Sequence, residues 1–273
     1  MTNEGLYRQI LKKKSFLCVG LDTDILKIPN YLQESSSGVL DFNSAIIDAT
    51  HDLAIAYKPN LAFYESRAAA GWEDLAKTVE YIRSVDPELF IIADAKRGDI
   101  GNTAAMYART FFEELDFDAV TISPYMGRDS VEPFLEYQGK WVILLGLTSN
   151  PGAGDFQFLH LQAGNRPLYE EIIGQAAEWA GPDKLMFVAG ATRAELISGI
   201  RSIIPDHFIL VPGIGAQGGS LDEVVKAGMN QNCGLIVNSS RSILYANDSE
   251  AFAVKSREKA LELQKSMSGF LNL

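Results

Sequence analysis

Eight short apolar runs, separated by segments of helical periodicity, constrain the fold of this chain more than any other feature. They are Ser15–Asp22, Leu53–Asn60, Leu89–Lys96, Asp118–Pro124, Trp141–Ser149, Lys184–Ala191, His207–Ile214 and Cys233–Arg241. Each is nearly continuous in Val, Ile, Leu and Ala and ends in polar or Gly/Pro residues. Such runs suit strands buried on both faces, as in a parallel sheet. Between them, Trp72–Val85 carries Leu75, Val79, Ile82 and Val85 at helical spacing, and Phe42–Leu53 carries Ala45, Ile46, Ile47 and Ala49. Leu168–Ala180, Ala194–Ile204 and Leu221–Met229 read the same way, and Glu250–Met267 forms a final amphipathic segment. Strand and helix alternating eight times predict an α/β fold of one kind, a closed (β/α)8 TIM barrel, as a single domain over residues 1–273. The competing architecture is an open doubly wound sheet. It normally carries a Gly-rich turn after its first strand, whereas Gly20-Leu21-Asp22-Thr23-Asp24 is no dinucleotide fingerprint. No stretch rich in Pro, Gly or Ser divides the chain, and Ser35-Ser36-Ser37-Gly38 reads as a surface loop. The longest gap between strands opens with Asn150-Pro151-Gly152-Ala153-Gly154-Asp155, which is expected to be a mobile lid over the barrel mouth.

The net charge of −11 argues against a nucleic-acid partner, which calls for a basic patch. An anionic substrate would therefore need a local cluster of cations working against the global field. No apolar run approaches a membrane span. Lys12-Lys13-Lys14 precede only Phe16–Leu21 before Asp22 interrupts, too short for a signal core. Cys18 and Cys233 lie in apolar runs and read as buried free thiols of a reducing compartment, so a cytoplasmic location is expected.

The run Leu89–Lys96 closes on charge. Side chains alternate along a strand, so Phe90, Ile92, Asp94 and Lys96 share one face. An ion pair there is weak evidence for stability, because desolvation cancels much of the attraction, and better evidence for chemistry. In a barrel of this kind active-site residues sit at the C-terminal strand ends. The unusual polar residues Asp22, Lys58, Asp94, Lys96, Ser123, Ser149, Gln217 and Arg241 fall at seven of those eight ends. Singly each has an ordinary explanation: Asp22 can cap a helix, Lys58 can snorkel, and Asp99 can sit in a first helical turn. Their joint placement at one end of a barrel points to a site. Pro212–Gly219, with Gly215, and Asn238-Ser239-Ser240-Arg241 follow the last two strands, where glycine backbone and an Arg fork suit phosphate. His51, His160 and His207 are scattered and no Cys/His pair has zinc spacing, so no metal is expected and the chemistry rests on Lys and Asp.

These residues resemble the orotidine 5′-phosphate decarboxylase family. The resemblance rests on Asp94-x-Lys96-x-x-Asp99, Tyr57-Lys58-Pro59-Asn60, Val19-Gly20-Leu21-Asp22 and Thr148-Ser149-Asn150-Pro151-Gly152, and extends to Gln217 in Pro212–Gly219 and to Arg241. The long-chain bacterial branch is the nearest in Lys58–Glu65 and Pro124-Tyr125-Met126-Gly127. The resemblance implies decarboxylation of orotidine 5′-monophosphate to uridine 5′-monophosphate without cofactor. In it Lys96 would protonate carbon 6, Asp94 would face the departing carboxylate, and Lys58 would hold Asp94 and the ribose. Asp99, with Thr103 nearby, would reach into the partner's site of a homodimer and complete a Lys-Asp-Lys-Asp array. Asp22 would bind a ribose hydroxyl, Ser149 the pyrimidine edge, and Gln217 and Arg241 the phosphate. Shorter members run almost directly from the last strand into the Arg, whereas here Asn238-Ser239-Ser240 precede Arg241. Sugar-phosphate decarboxylases and aldol-type synthases share Asp-x-Lys-x-x-Asp and would use a divalent metal and an enediolate. A Schiff-base aldolase on Lys58 or Lys96 and a nucleotide-binding barrel without turnover are the other readings.

Overall fold

A computed structural model of the chain describes residues 1–162, 164–190, 194–214 and 219–271. The apolar runs form eight parallel strands: β1 (Leu17–Leu21), β2 (Ala56–Pro59), β3 (Phe90–Arg97), β4 (Ala119–Ile122), β5 (Trp141–Leu147), β6 (Leu185–Ala189), β7 (Ile209–Pro212) and β8 (Leu235–Ser239). They pair in chain order, and β8 returns to β1 with Leu17 opposite Val237 and Cys18 opposite Asn238, so the sheet closes into the expected (β/α)8 barrel. Most strands are shorter than their apolar runs, because the polar residues at each end leave the ladder for the loops. Side chains inside and outside the ring are both buried, which is why the runs show no polar alternation.

The surrounding helices bury the faces their periodicity marks. Ala68–Val85 turns Leu75, Val79 and Ile82 inward, and Phe252–Ser268 buries Phe252, Ala260 and Met267. Ser220 caps Leu221–Gly228 by accepting a hydrogen bond from the Glu223 amide at 3.4 Å.

Among the described helices of more than five residues, two were not read from the sequence. Asn3–Lys13 buries only Leu6, Gln9 and Ile10, too few positions to reveal a face; Thr2 caps its start, and Lys14, at φ 51°, ends it. It is tied down at the N-terminal end of the barrel, where the Met1 carbonyl accepts from Trp141 Nε1 at 2.8 Å and Asp183 accepts from the Asn3 amide at 2.8 Å. Gly101–Arg109 follows β3 and passes into a wider π-type turn over Thr110–Glu114, which buries Phe111 and Phe112. The last apolar run also breaks early. Cys233 and Gly234 both adopt left-handed backbone at φ 66°, so β8 begins only at Leu235.

Arg201 fastens the N-terminal ends of β7 and β8. Its guanidinium donates to the carbonyls of Gly228, Ile204, His207 and Gly234 at 2.7–2.8 Å and to Pro205 at 3.2 Å. Burial pushes it down to about 10, still cationic at neutral pH. No helix among the described residues is long and apolar enough to cross a membrane. Replacing Arg201 by Ala strands several buried carbonyls and is expected to cost about 3 kcal/mol or more of unfolding free energy. Denaturant unfolding of R201A checks this; a loss under about 1 kcal/mol would show that water satisfies those carbonyls instead.

Candidate active site

The C-terminal strand ends bring the charged residues into a row. Lys58, on β2, is 4% exposed, and its Nζ lies 2.8 Å from Asp94 Oδ2 and 3.8 Å from Asp22 Oδ1. Asp94, on β3, gives its other oxygen to Lys96 Nζ at 2.5 Å and to the Thr121 hydroxyl at 3.1 Å. The sequence Asp22–Lys58–Asp94–Lys96 thus alternates in charge from β1 to β3, with the outer ammonium of Lys96 half exposed at the mouth.

Lys96 reaches Asp94 through an irregular backbone. Four residue steps on β3, from Ala93 to Arg97, span two on β4, from Val120 to Ile122. Lys96 sits in this bulge at φ 47°, a left-handed conformation that costs a non-glycine residue about 1–3 kcal/mol. The Thr121 hydroxyl steadies it by accepting from the Lys96 amide at 2.9 Å while donating to Asp94. Thr121 therefore orients both charged residues. Sequence reasoning passed over it because a threonine in a strand is ordinary.

Burial alone would raise the Asp94 carboxyl, but the neighbouring ammonium groups of Lys58 and Lys96 outweigh it and hold Asp94 well below the usual carboxylate range. Burial likewise lowers Lys58, and the carboxylates of Asp94 and Asp22 outweigh that and leave it above the usual lysine value. Cys18, beneath them on β1, is a free thiol pushed up to about 12 by burial. Cys233 is likewise free and buried.

A second layer holds Asp22 in place. The Tyr245 hydroxyl donates to the Asp22 carbonyl at 2.9 Å and accepts from the Asp24 amide at 2.8 Å. The Tyr64 hydroxyl donates to the Leu21 carbonyl at 3.1 Å and is itself bonded by Asn43. Asn43 also accepts from Thr23 at 2.6 Å and donates to Thr78 at 3.0 Å, so this network is buried and closed.

Two adjoining cavities share Lys58, Asp94 and Pro212 as a common wall. The first, about 330 Å³, is lined by Lys96, Thr121, Ser149 and the apolar Leu145, Val188 and Leu210. The second, about 180 Å³, is lined by Asp22, Asn238, Ser240, Arg241 and the turn Pro212-Gly213-Ile214. Ser149 is held close to the end of β6, where a side chain on Gly190 would meet Ser149 Cβ at 2.7 Å. Gln157 stitches the next loop back by accepting from the Thr148 amide at 2.9 Å. Arg241 is exposed and has no ion-pair partner among the described residues, leaving its fork available at the second cavity.

The remaining expected residues fall elsewhere. Asp99 lies outside the row, its carboxylate accepting from the Ile100 amide at 2.8 Å, and Thr103 is exposed on the helix Gly101–Arg109. Ser123 lines neither cavity; its amide donates to the Arg97 carbonyl at 2.7 Å. Gly215 and Gln217 lie outside the described residues. His207 sits ahead of β7, at the far end of the barrel, pushed down by burial. No group of three His, Cys, Asp or Glu suited to a metal ion occurs among the described residues.

A depressed carboxyl adds stability above its unfolded value and loses it as pH falls toward the folded one. Asp94 should therefore stabilise the fold at neutral pH and cease to do so progressively below the ordinary value of 3.8. Unfolding free energy measured from pH 5 to pH 2 should fall more steeply for the wild type than for D94N, by up to about 1.4 kcal/mol per pH unit. Parallel profiles would mean that the carboxylate is not held by its two lysines.

Comparison with known proteins identifies the family. The family model described as Orotidine 5′-phosphate decarboxylase / HUMPS family matches residues 15–255. The chain is 59% identical over 268 residues to a protein of Bacteroides fragilis strain YCH46 named orotidine 5′-phosphate decarboxylase, covering 98% of this chain and 97% of that one. Among solved structures it is similar to the Leishmania donovani OMP decarboxylase, with a TM-score of 0.81 and 35% identity, covering 97% of this chain and 99% of that one. It is similar also to the L. donovani UMP synthase, with a TM-score of 0.82 and 36% identity, where 96% of this chain spans 56% of the longer protein. With its motif residues at the strand ends and the match running through nearly the whole barrel, the chain belongs to the orotidine 5′-phosphate decarboxylase family.

Proposed function

We propose that this single-domain barrel decarboxylates orotidine 5′-monophosphate to uridine 5′-monophosphate and carbon dioxide, the last step of de novo UMP biosynthesis, as a cofactor-free carbon–carbon lyase. The observation that carries this is the alternating row Asp22–Lys58–Asp94–Lys96 along a cavity with one apolar wall. The pyrimidine occupies the larger cavity with its edge at Ser149, and the ribose lies toward Asp22 and Lys58. The phosphate meets Arg241 and the segment that follows β7; in the resemblance Gly215 and Gln217, which lie outside the described residues, would join them.

Loss of carbon dioxide from carbon 6 leaves a carbanion that the ring delocalises poorly. Asp94 faces the departing carboxylate, and two carboxylates about 4 Å apart at an effective dielectric near 20 repel by roughly 4 kcal/mol. Enzymes at the upper end of rate enhancement must supply about 20 kcal/mol or more. Repulsion is therefore the smaller part. The larger part falls to Lys96, whose ammonium meets the negative charge as it develops at carbon 6 and then delivers the proton. Because Asp94 and Thr121 fix Lys96 beforehand, little reorganisation is needed when the charge appears.

Among the described residues of one chain, the row carries no carboxylate on the far side of Lys96 from Asp94. A homodimer supplies one, with Asp99 and Thr103 reaching across to the partner's site. In support, large apolar side chains cluster on the loops and helix around them: Ile100, Met106 and Met126 are about half exposed, and Tyr125 is 91% exposed. The buried free thiols Cys18 and Cys233 suit a reducing, cytoplasmic setting.

Mixed with orotidine 5′-monophosphate in excess chelator, the wild type should convert it fully, followed by ultraviolet absorbance. K96A should bind uridine 5′-monophosphate but show no turnover. Activity that chelator abolishes would point instead to a metal-dependent sugar-phosphate enzyme. For the shared site, K96A and D99A should each be inactive alone, yet recover about a quarter of wild-type activity when unfolded and refolded together, since half the dimers are hybrids with one intact site. Inactive mixtures would exclude exchange of Asp99 between subunits.

A further inference from the structure

Asn238 has no role in the scheme above, yet it is placed as a ligand-binding group. It lies on β8, opposite Cys18 of β1 and Pro212 of β7, and is 7% exposed. Its amide nitrogen donates to Ser240 Oγ at 3.3 Å, while its Oδ1 is buried with no hydrogen-bond partner among the described residues. It lines the cavity of about 180 Å³ that also holds Asp22, Lys58 and Arg241.

The same cavity contains a second acceptor of this kind. Asp22 Oδ1 is buried without a hydrogen bond and reaches Lys58 only at 3.8 Å. Both atoms accept and cannot donate, so phosphate and carboxylate oxygens are unsuitable partners for them. Hydroxyl groups suit them, and two acceptors in one small cavity suit a sugar with neighbouring hydroxyls. The barrel backbone is kept bare to make this room. A Cβ on Gly20 of β1 would stand 1.8 Å from Ser240 Oγ and 3.1 Å from Asn238 Oδ1, so only glycine allows both side chains their positions. An apolar residue at 238 would fill the strand position equally well without leaving a buried amide oxygen unpaired.

We propose that Asn238 is a sugar-positioning residue, whose Oδ1 accepts the proton of one ribose hydroxyl beside Asp22. This rests on the reading of the site as an orotidine 5′-monophosphate decarboxylase. It makes the C-terminal end of β8 and the residues that follow it substrate-reading, with Asn238 on the sugar and Arg241 on the phosphate.

The test is a set of calorimetric affinities for uridine 5′-monophosphate and its 2′-deoxy and 3′-deoxy analogues, with wild type, N238A and N238D, each verified as folded by circular dichroism. For one of the two hydroxyls, N238A should lose about tenfold of the wild-type preference for the hydroxylated nucleotide, while the matching deoxy analogue binds N238A and wild type alike. N238D retains an acceptor and should restore that preference, even where its added charge weakens all three nucleotides together. Equal weakening of all three by N238A, no weakening at all, or failure of N238D to restore the preference would each overturn the assignment. A wild type that binds none of the nucleotides would instead remove the decarboxylase reading, and the inference with it, so the two failures are distinct.

Discussion

A buried lysine governs this site. Lys58 stands at the end of a strand with almost no solvent, and an ammonium so placed would lose its proton unless carboxylates surround it. Asp94 and Asp22 do so, and Asp94 in turn stays ionised because Lys58 and Lys96 flank it. Removing one partner of such a pair leaves an uncompensated charge and costs about 3–5 kcal/mol, whereas replacing the whole group with apolar side chains is often neutral or better. The row is therefore a poor device for stability. It is a good device for fixing charges at set positions without solvent, which electrostatic catalysis requires.

Fixing those charges needs rigid supports, and the barrel provides them at two levels. Strand registers set the spacing, with Gly20 opposite Lys58 and Asn60 bridged to Asp94. Side chains then remove the freedom that remains. Thr121 binds the Asp94 carboxylate and the Lys96 backbone together, and Tyr245, Tyr64 and Asn43 hold the chain on both sides of Asp22. The left-handed backbone of Lys96 belongs to the same arrangement. A regular strand carries its ladder straight past this point, whereas the bulge turns the side chain back onto Asp94. Strain is tolerable there because Thr121 and Asp94 over-determine the position.

The physics of burial decides how much of this the sequence could reveal. Strands enclosed on both faces must be apolar throughout, so all eight were legible, and charged residues at their ends stood out against that background. Lys58, Asp94, Lys96, Asp22, Ser149 and Arg241 were found in this way, and they do line the two cavities. What escaped was whatever lacks such contrast. Asn3–Lys13 packs through so few apolar positions that it leaves no stripe, and the helix after β3 hides its aromatic contacts in a π-type turn. Alternation put Asp94 and Lys96 on one face but could not show the bulge that joins them. Thr121 and Asn238 matter for a single hydrogen-bonding atom each, which only three-dimensional neighbours can expose.

Charge balance explains why the site divides into two cavities. Within the chain the row is neutral, with Asp22 and Asp94 matched by Lys58 and Lys96. A protein of net charge −11 would otherwise repel a nucleotide, so attraction must come from cations the row has not consumed. Arg241 is the one cation lining either cavity that has no carboxylate partner among the described residues. It stands at the smaller cavity, away from the apolar wall of Leu145, Val188 and Leu210. In the proposed reaction the phosphate is thus drawn to an end where charge is unmatched, and its binding energy holds the pyrimidine against charges already matched to each other. Those charges gain little from the ground state, because their own partners satisfy them. They gain most when the departing carboxylate leaves carbon 6 negative beside Lys96, and interactions that strengthen only then are the ones that raise the rate.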